Sequence, residues 1–383
     1  MKILTLCYEY PPLGGGGGRV AQTVARQLVV RGHEVRVQTA ALGWRSVEED
    51  DKGVRVFRTA SGRAKADTCR VHEMGLYCMT SFLPALRCVR KWKPDVIHAH
   101  FAVPTGFLAY ALHKFTQVPY VLTAHLGDVP GGVPEQTNTL FRLVNPIARR
   151  VWRDAAACTA VSTFVKELAE RAYKRPVERI LNGIDLVGTL PEPQSDPHRR
   201  HLVFVGRLSV QKNPGFLIPL LAGMQSLPWE LTVVGDGPLM PELRELVARH
   251  HLDARVCFRG WLDAEAVTQV LSESDILLMP SLSEGLPVAA IEALRHGLAI
   301  VASDIPGVRD VVDDSVNGFR AAVNDTAEWA RKLGGMLENC GMLSAMRRAS
   351  REKVRAFDLT SVVSQYDRVL RDAAGVDAAA KIA

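Results

Sequence analysis

Cysteine is scarce in this 383-residue chain and poorly placed for cross-linking. The seven present (Cys7, Cys69, Cys78, Cys88, Cys158, Cys257, Cys340) are odd in number, scattered, and never spaced as Cys-x-x-Cys. Neither a disulfide framework nor a zinc site is suggested, and the expected setting is reducing cytosol. No apolar run reaches eighteen residues, so no membrane-spanning helix is expected. The stretch Met1-Lys-Ile-Leu-Thr-Leu-Cys-Tyr-Glu9 has neither the long apolar region nor the small-residue cleavage site of a leader, and reads as a first strand. Short-period repeats are missing. Basic residues are not interleaved with aromatics and no nucleic-acid-binding motif occurs, so nucleic acid is not an expected partner.

What is present is enough for two cores. A chain of 383 residues that is 47% hydrophobic exceeds the usual size of one domain. Short β-rich runs alternate with helical patterns at Ile3–Cys7, Val35–Thr39, Val54–Phe57, Val96–His98, Tyr120–Thr123 and Thr159–Val161. The rhythm restarts at Leu202–Val205 and continues through Leu231–Val234, Val256–Phe258, Ile276–Met279 and Ile300–Ala302. Such alternation predicts right-handed crossovers and two doubly wound parallel sheets in tandem. The Pro-rich polar stretch Leu190-Pro-Glu-Pro-Gln-Ser-Asp-Pro-His198 has the composition of a linker. The expected division is residues 1–189 and 190–356, with a last helix over about 357–372 and a frayed tail beyond Ala373. Residues 1–190 carry 26 Lys plus Arg against 16 Asp plus Glu, whereas the remainder carries 21 against 25. A basic first half suits an anionic lipid surface or acidic acceptor, or is a solvated arginine-rich face.

Three segments carry residues suited to chemistry. In Ser281-Leu-Ser-Glu284-Gly-Leu-Pro-Val-Ala-Ala-Ile-Glu292, Pro287 suits the first helical position. The N–H groups around Gly285 and Leu286, with the helix dipole, form an anion site for a diphosphate. Glu284 in the turn and Glu292 about one and a half turns into the helix can offer acceptor oxygens to sugar or ribose hydroxyls. Phosphate at amides and hydroxyls at carboxylates together describe a nucleotide sugar. Gly14-Gly-Gly-Gly-Gly18, after a strand and before a helix, can approach a phosphate closely. A dinucleotide fingerprint is disfavoured, because no carboxylate ends the next strand near Gln38 to Ala41. Gly206-Arg207-Leu-Ser-Val-Gln-Lys212 offers a guanidinium fork and an ammonium to a diphosphate.

Glu284 and Glu292, separated by seven residues in a stretch that opens Glu-Gly-Leu-Pro, resemble the E-x7-E signature of the family 4 glycosyltransferases (GT4), retaining enzymes of GT-B fold. The resemblance runs from Pro11-Pro12-Leu-Gly14 to the last helix and implies two Rossmann-like domains facing across a cleft. It implies that Arg207 and Lys212 stabilise the departing nucleoside diphosphate, that Glu284 takes the donor sugar and Glu292 the ribose, and that Gly15, Gly16 and Gly17 contact donor phosphates. Gly206 opens the donor loop, while Gly235, Asp236, Trp261 and Leu262 would hold the nucleoside. Thr123-Ala-His125-Leu-Gly-Asp128 is similar to the family's His-Gly-x-Asp segment, displaced by one residue, which implies that His125 meets the transferred sugar. His100 and Asp128 are acceptor-side candidates. His98-Ala-His100 has the alternation of a metal pair, but no third ligand is positioned, and the family needs no bound metal or other cofactor.

The implied activity is retaining, metal-independent transfer of a hexosyl group from a UDP- or GDP-sugar to a glycan, lipid-linked or small-molecule acceptor, in cell-envelope or glycoconjugate synthesis. It would take place in the cytoplasm, with a peripheral membrane role open to the basic first half. A nucleotide-sugar 2-epimerase of the same fold and a non-catalytic nucleotide-sugar-binding protein are the alternatives.

Overall fold

The computed structural model describes residues 1–66, 68–186 and 200–376. The expected linker Leu190–His198 lies outside the described residues, as does most of the tail. The chain divides into two compact units, one of Met1–Gly183 with Leu359–Ala383 and one of Ile184–Asp358.

Apolar β-branched runs become the strands of the first unit and the amphipathic stretches between them its helices: β1 (Lys2–Leu6), α1 (Gly16–Val30), β2 (Glu34–Leu42), β3 (Val47–Asp51), β4 (Val54–Arg63), α2 (Val71–Trp92), β5 (Val96–His100), α3 (Thr105–Thr116), β6 (Tyr120–Ala124), α4 (Pro134–Asp154), β7 (Ala157–Ala160), α5 (Thr163–Tyr173) and β8 (Glu178–Arg179). Their order in the sheet is β3-β4-β2-β1-β5-β6-β7-β8, parallel except for the β3–β4 hairpin. That hairpin is a departure from the expected all-parallel pattern. Lys52 and Gly53 both take positive φ (56° and 86°), the turn whose twist matches two antiparallel strands. The acidic run Val-Glu-Glu-Asp-Asp escapes a hydrophobic-pattern reading because an edge strand needs only one neighbour and no core face.

The second unit repeats the plan with β9 (Arg200–Val205), α6 (Leu217–Ala222), β10 (Trp229–Val234), α7 (Met240–Arg249), β11 (Val256–Gly260), α8 (Ala264–Ser272), β12 (Ile276–Met279), α9 (Val288–Arg295), β13 (Ala299–Ser303), β14 (Gly318–Ala321), α10 (Thr326–Glu338) and α11 (Cys340–Lys353). Its strand order is β11-β10-β9-β12-β13-β14, parallel throughout. Leu202, Phe204, Leu231, Val233, Ile276, Leu278 and Val301 point into one core with Trp229 and Trp329, the alternate residues of central strands sharing a face.

The last helix, α12 (Leu359–Ala374), belongs to the first unit. Val362, Val363, Tyr366, Val369 and Leu370 recur at helical spacing on its buried stripe, which packs against α1, β5 and β6. At its rim His33 Nε2 lies 3.0 Å from Asp367, and Arg31 donates to the Thr360 carbonyl at 2.8 Å.

Candidate functional site

In an open α/β sheet the chain leaves the first strand in one direction and returns on its other side. Loops beyond the carboxyl ends of the two strands at that reversal splay apart and leave a crevice. The reversal falls between β9 and β12 in the second unit, and between β1 and β5 in the first.

At the β9/β12 reversal the two loops are tied together. Lys212 Nζ donates to Glu284 Oε1 at 2.6 Å, and Ser281 Oγ donates to the same oxygen at 2.7 Å. Gln211 brackets the pair, its carbonyl accepting from Leu282 N at 2.8 Å and its amide donating to the Ser283 carbonyl at 3.1 Å. Asn213 donates to the Pro280 carbonyl at 3.2 Å. Glu284 is only 6% exposed, so its charge is held by an ammonium and a hydroxyl in place of water. Its main chain is pressed against the loop after β13: a Cβ on Gly307 would lie 1.8 Å from the Glu284 carbonyl oxygen, so no side chain fits there. Sequence reasoning missed Ser281, Gln211, Asn213 and Gly307. Ser281 sits three residues before Glu284, a spacing that could have marked it as a partner.

Helix α9 starts at Val288, and Pro287 precedes it as the capping residue, not as the first helical residue expected; its ψ of 109° is extended. Glu292 is therefore the fifth residue of α9, half-buried and just past one turn. Gly206 opens the β9 loop, donating to the Val234 carbonyl at 3.0 Å, and Leu208 donates to the Asp236 carbonyl at 2.9 Å. Gly235 has φ 130°, and a Cβ there would strike the Gly206 carbonyl oxygen at 1.9 Å. Gly235 and Asp236 thus hold the Arg207 loop by close backbone approach. Beyond β11, Trp261 is 57% exposed and Leu262 half-buried. Arg207 is half-exposed in its loop.

At the β1/β5 reversal, Gly16 and Gly17 form the first residues of α1, and only Gly14 and Gly15 remain in the loop of the glycine run. Gly15 N donates to Glu9 Oε2 at 3.2 Å, so the loop already faces a carboxylate of its own chain. Gly17 lies against Phe101 and His125: a Cβ there would be 2.4 Å from the Phe101 ring and 3.3 Å from His125 Nδ1. Phe101, the first residue after β5, has φ 71°, a costly conformation for a side chain of its size, and stacks on His125 with centroids 4.3 Å apart. No sequence signal marks it.

His125 is buried, and its Nε2 lies 3.1 Å from His100 Nδ1. One of these nitrogens donates and the other accepts. Desolvation pushes the pKa of His125 down to about 3 and that of His100 well below the usual imidazole range, with the neighbouring histidines adding to the latter. Both rings are neutral at physiological pH. His125 Nδ1, the nitrogen beside Gly17, then plays the role opposite to that of its Nε2. His98 is not aimed at a metal with His100; it bonds Thr123 Oγ1 at 2.8 Å. Asp128 is buried, its Oδ1 accepting from the backbone N–H groups of His125 (2.9 Å) and Leu126 (2.8 Å) and its Oδ2 from Ala102 (2.7 Å). Its oxygens hold the two loops that carry His125 and Phe101. Burial raises its pKa against the pull of those bonds. Among the described residues no group of three His, Cys, Asp or Glu side chains could hold a metal ion, and no helix is long and apolar enough to cross a membrane.

Comparison with known proteins gives the family and the fold. The family model "Glycosyl transferases group 1" matches residues 199–339, and "Glycosyltransferase Family 4" matches residues 14–187. The chain belongs to the family 4 glycosyltransferases. Among similar proteins are a glycogen synthase of Mycobacterium tuberculosis, 25% identical over 96% of this chain and 94% of its own, and the N-acetyl-alpha-D-glucosaminyl L-malate synthase of Bacillus anthracis, 23% identical over 100% of both. Among solved structures, sucrose-phosphate synthase from Thermosynechococcus elongatus superposes with a TM-score of 0.83 at 20% identity, covering 97% of this chain and 98% of that one. Anabaena HepE, solved with UDP and glucose, gives 0.75 at 20% identity over 97% and 100%. The two-sheet α/β architecture is that of the GT-B glycosyltransferases.

Proposed function

We propose that this glycosyltransferase moves a hexosyl group from a UDP- or GDP-sugar to a glycan, lipid-linked or small-molecule acceptor with retention at the anomeric carbon, and that it does so without a bound metal. The observation that carries the reading is the Lys212–Glu284–Ser281 cluster at the β9/β12 reversal, beside the start of α9. An ammonium held beside a helix amino end, with a guanidinium carried on the same loop as that ammonium, suits a diphosphate, and a buried carboxylate suits a sugar hydroxyl. UDP is the first nucleotide to test, since HepE was solved with it.

Without a metal, charge on the leaving diphosphate must be met by Arg207, Lys212 and the α9 amides, whose dipoles are fixed before the bond breaks. Glu292 would take the ribose, and the exposed Trp261 with Leu262 would lie along the base. His125, neutral in its pocket, suits hydrogen bonding to a sugar hydroxyl and not charge neutralisation. The glycine run would contribute through Gly16 and Gly17 once Glu9 has claimed Gly15.

The test is a panel of nucleotide sugars. A nucleotide that binds only the folded state raises Tm, by about 2.7 kcal/mol of stability at a hundredfold excess over Kd. The anomeric configuration of the first product, read by NMR, and transfer in the presence of a chelator then decide retention and metal dependence. Absence of stabilisation by every UDP and GDP compound would end the proposal.

A further inference from the structure

Away from both sheet reversals, the first unit has a cavity of about 390 Å³ between the face formed by β2 and β4 and the last turns of α2. That volume is ordinary for a small-molecule site, about 300–1,000 Å³. None of its lining residues belongs to the machinery described above. Arg36, Arg87 and Lys91 stand around it, with Phe57, Gln38 and Thr59 on its floor.

The charges are unbalanced. Arg58 in the wall is already paired with Glu49 and bonded to the Tyr10 carbonyl. By contrast Arg36, Arg87 and Lys91 make no ion pair among the described residues, and the lining has one carboxylate, Glu48. Three cations face one anion, a surplus of two positive charges. The end of α2 gives a dipole reason for Lys91 but none for Arg36, which rises from a strand. Arg36 is oriented by stacking, its guanidinium 4.4 Å from the Trp92 ring and 6.0 Å from that of Phe57. One guanidinium nitrogen of Arg36 donates to Cys88 Sγ at 3.9 Å, and stacking leaves its other N–H groups available to an oxyanion. Arg87 and Lys91, one turn apart on α2, repel each other unless an anion lies between them.

We propose that this cavity binds a phosphomonoester, its phosphate held by Arg36, Arg87 and Lys91 and its polar body lying over Phe57 against the mutually bonded Gln38 and Thr59. Two charges on the phosphate match the surplus, and a hexose phosphate fits the volume. The phosphate reaches the cavity either on a free metabolite or on a lipid headgroup.

The test compares the full-length protein with the Arg87→Gln/Lys91→Gln double variant, both substitutions lying at exposed positions. Arg90→Gln, exposed on the same helix but outside the cavity, is the control. Calorimetric titration with glucose 6-phosphate, and co-sedimentation with phosphatidic acid against phosphatidylcholine vesicles, separate the two sources. In at least one arm the wild type and Arg90→Gln bind alike, and the double variant binds about tenfold or more weakly. UDP-induced stabilisation should be equal in all three, so failure here is distinguishable from failure of the donor reading. Loss of affinity in Arg90→Gln equal to that in the double variant would reduce the effect to general surface charge. Binding unaffected by the double substitution, or absent in both arms, would overturn the proposal.

Discussion

Lys212 and Glu284 are 72 positions apart in sequence and 2.6 Å apart in space, and Ser281 completes their cluster. Because Lys212 both holds Glu284 and would meet the leaving phosphate, its loss should act on the barrier more than on the fold. Lys212→Ala and Glu284→Ala are each expected to lower kcat by roughly a hundredfold, the effect of removing one preorganised donor. The double variant should be little worse than either single one, because residues acting as a unit are not additive. Multiplicative losses in steady-state kinetics would show two independent roles. Asp128 is a different case. Three backbone N–H groups depend on its carboxylate, and an unsatisfied buried donor costs about 1–3 kcal/mol. Asp128→Ala should therefore lower the urea midpoint severely, whereas a residue serving only the acceptor would raise KM and leave the midpoint unchanged.

Along β5 and just beyond β6 the chain buries three imidazoles, and the element responds to pH as a whole. His98 and His125 have pKa values lowered to about 3 and that of His100 lies well below the usual imidazole range, all chiefly by desolvation. A folded-state pKa below the unfolded value of about 6.5 means that the unfolded chain binds more protons under that pH. Stability should therefore hold at neutral pH and fall as the pH drops from about 6.5 towards 3, by up to about 1.4 kcal/mol per pH unit for each histidine. Urea midpoints from pH 7.5 to 4.5 in the wild type and in His98→Gln would check this, the variant having the shallower slope. An equal slope would place the titration elsewhere. The β-rich runs of these strands were legible because apolar periodicity is local. The histidine cluster was not, because it joins neighbours of the sheet, as His98 and Thr123 do at separation 25. Nor was the hairpin strand β3, whose acidic residues pack on no core.

For the molecule as a whole, the placement of α12 matters most. It follows the second unit in sequence yet packs on the first, with Val362, Val363, Tyr366, Val369 and Leu370 buried. Each such side chain contributes about 1.5–3 kcal/mol relative to exposure. A chain ending at Asp358 is thus expected to lose amide-exchange protection in β5 and β6 while keeping it in β9 and β12; uniform loss in both units would contradict the division. Alternating strands and helices, the spacing of Glu284 and Glu292, and the basic residues after Val205 were determined by the sequence itself, since each depends on neighbours a few positions away. Which loops meet was decided only by tertiary structure. Strand order fixes where a sheet reverses, and that reversal brings Lys212 to Glu284 and Gly17 to Phe101 and His125, contacts that no local periodicity encodes.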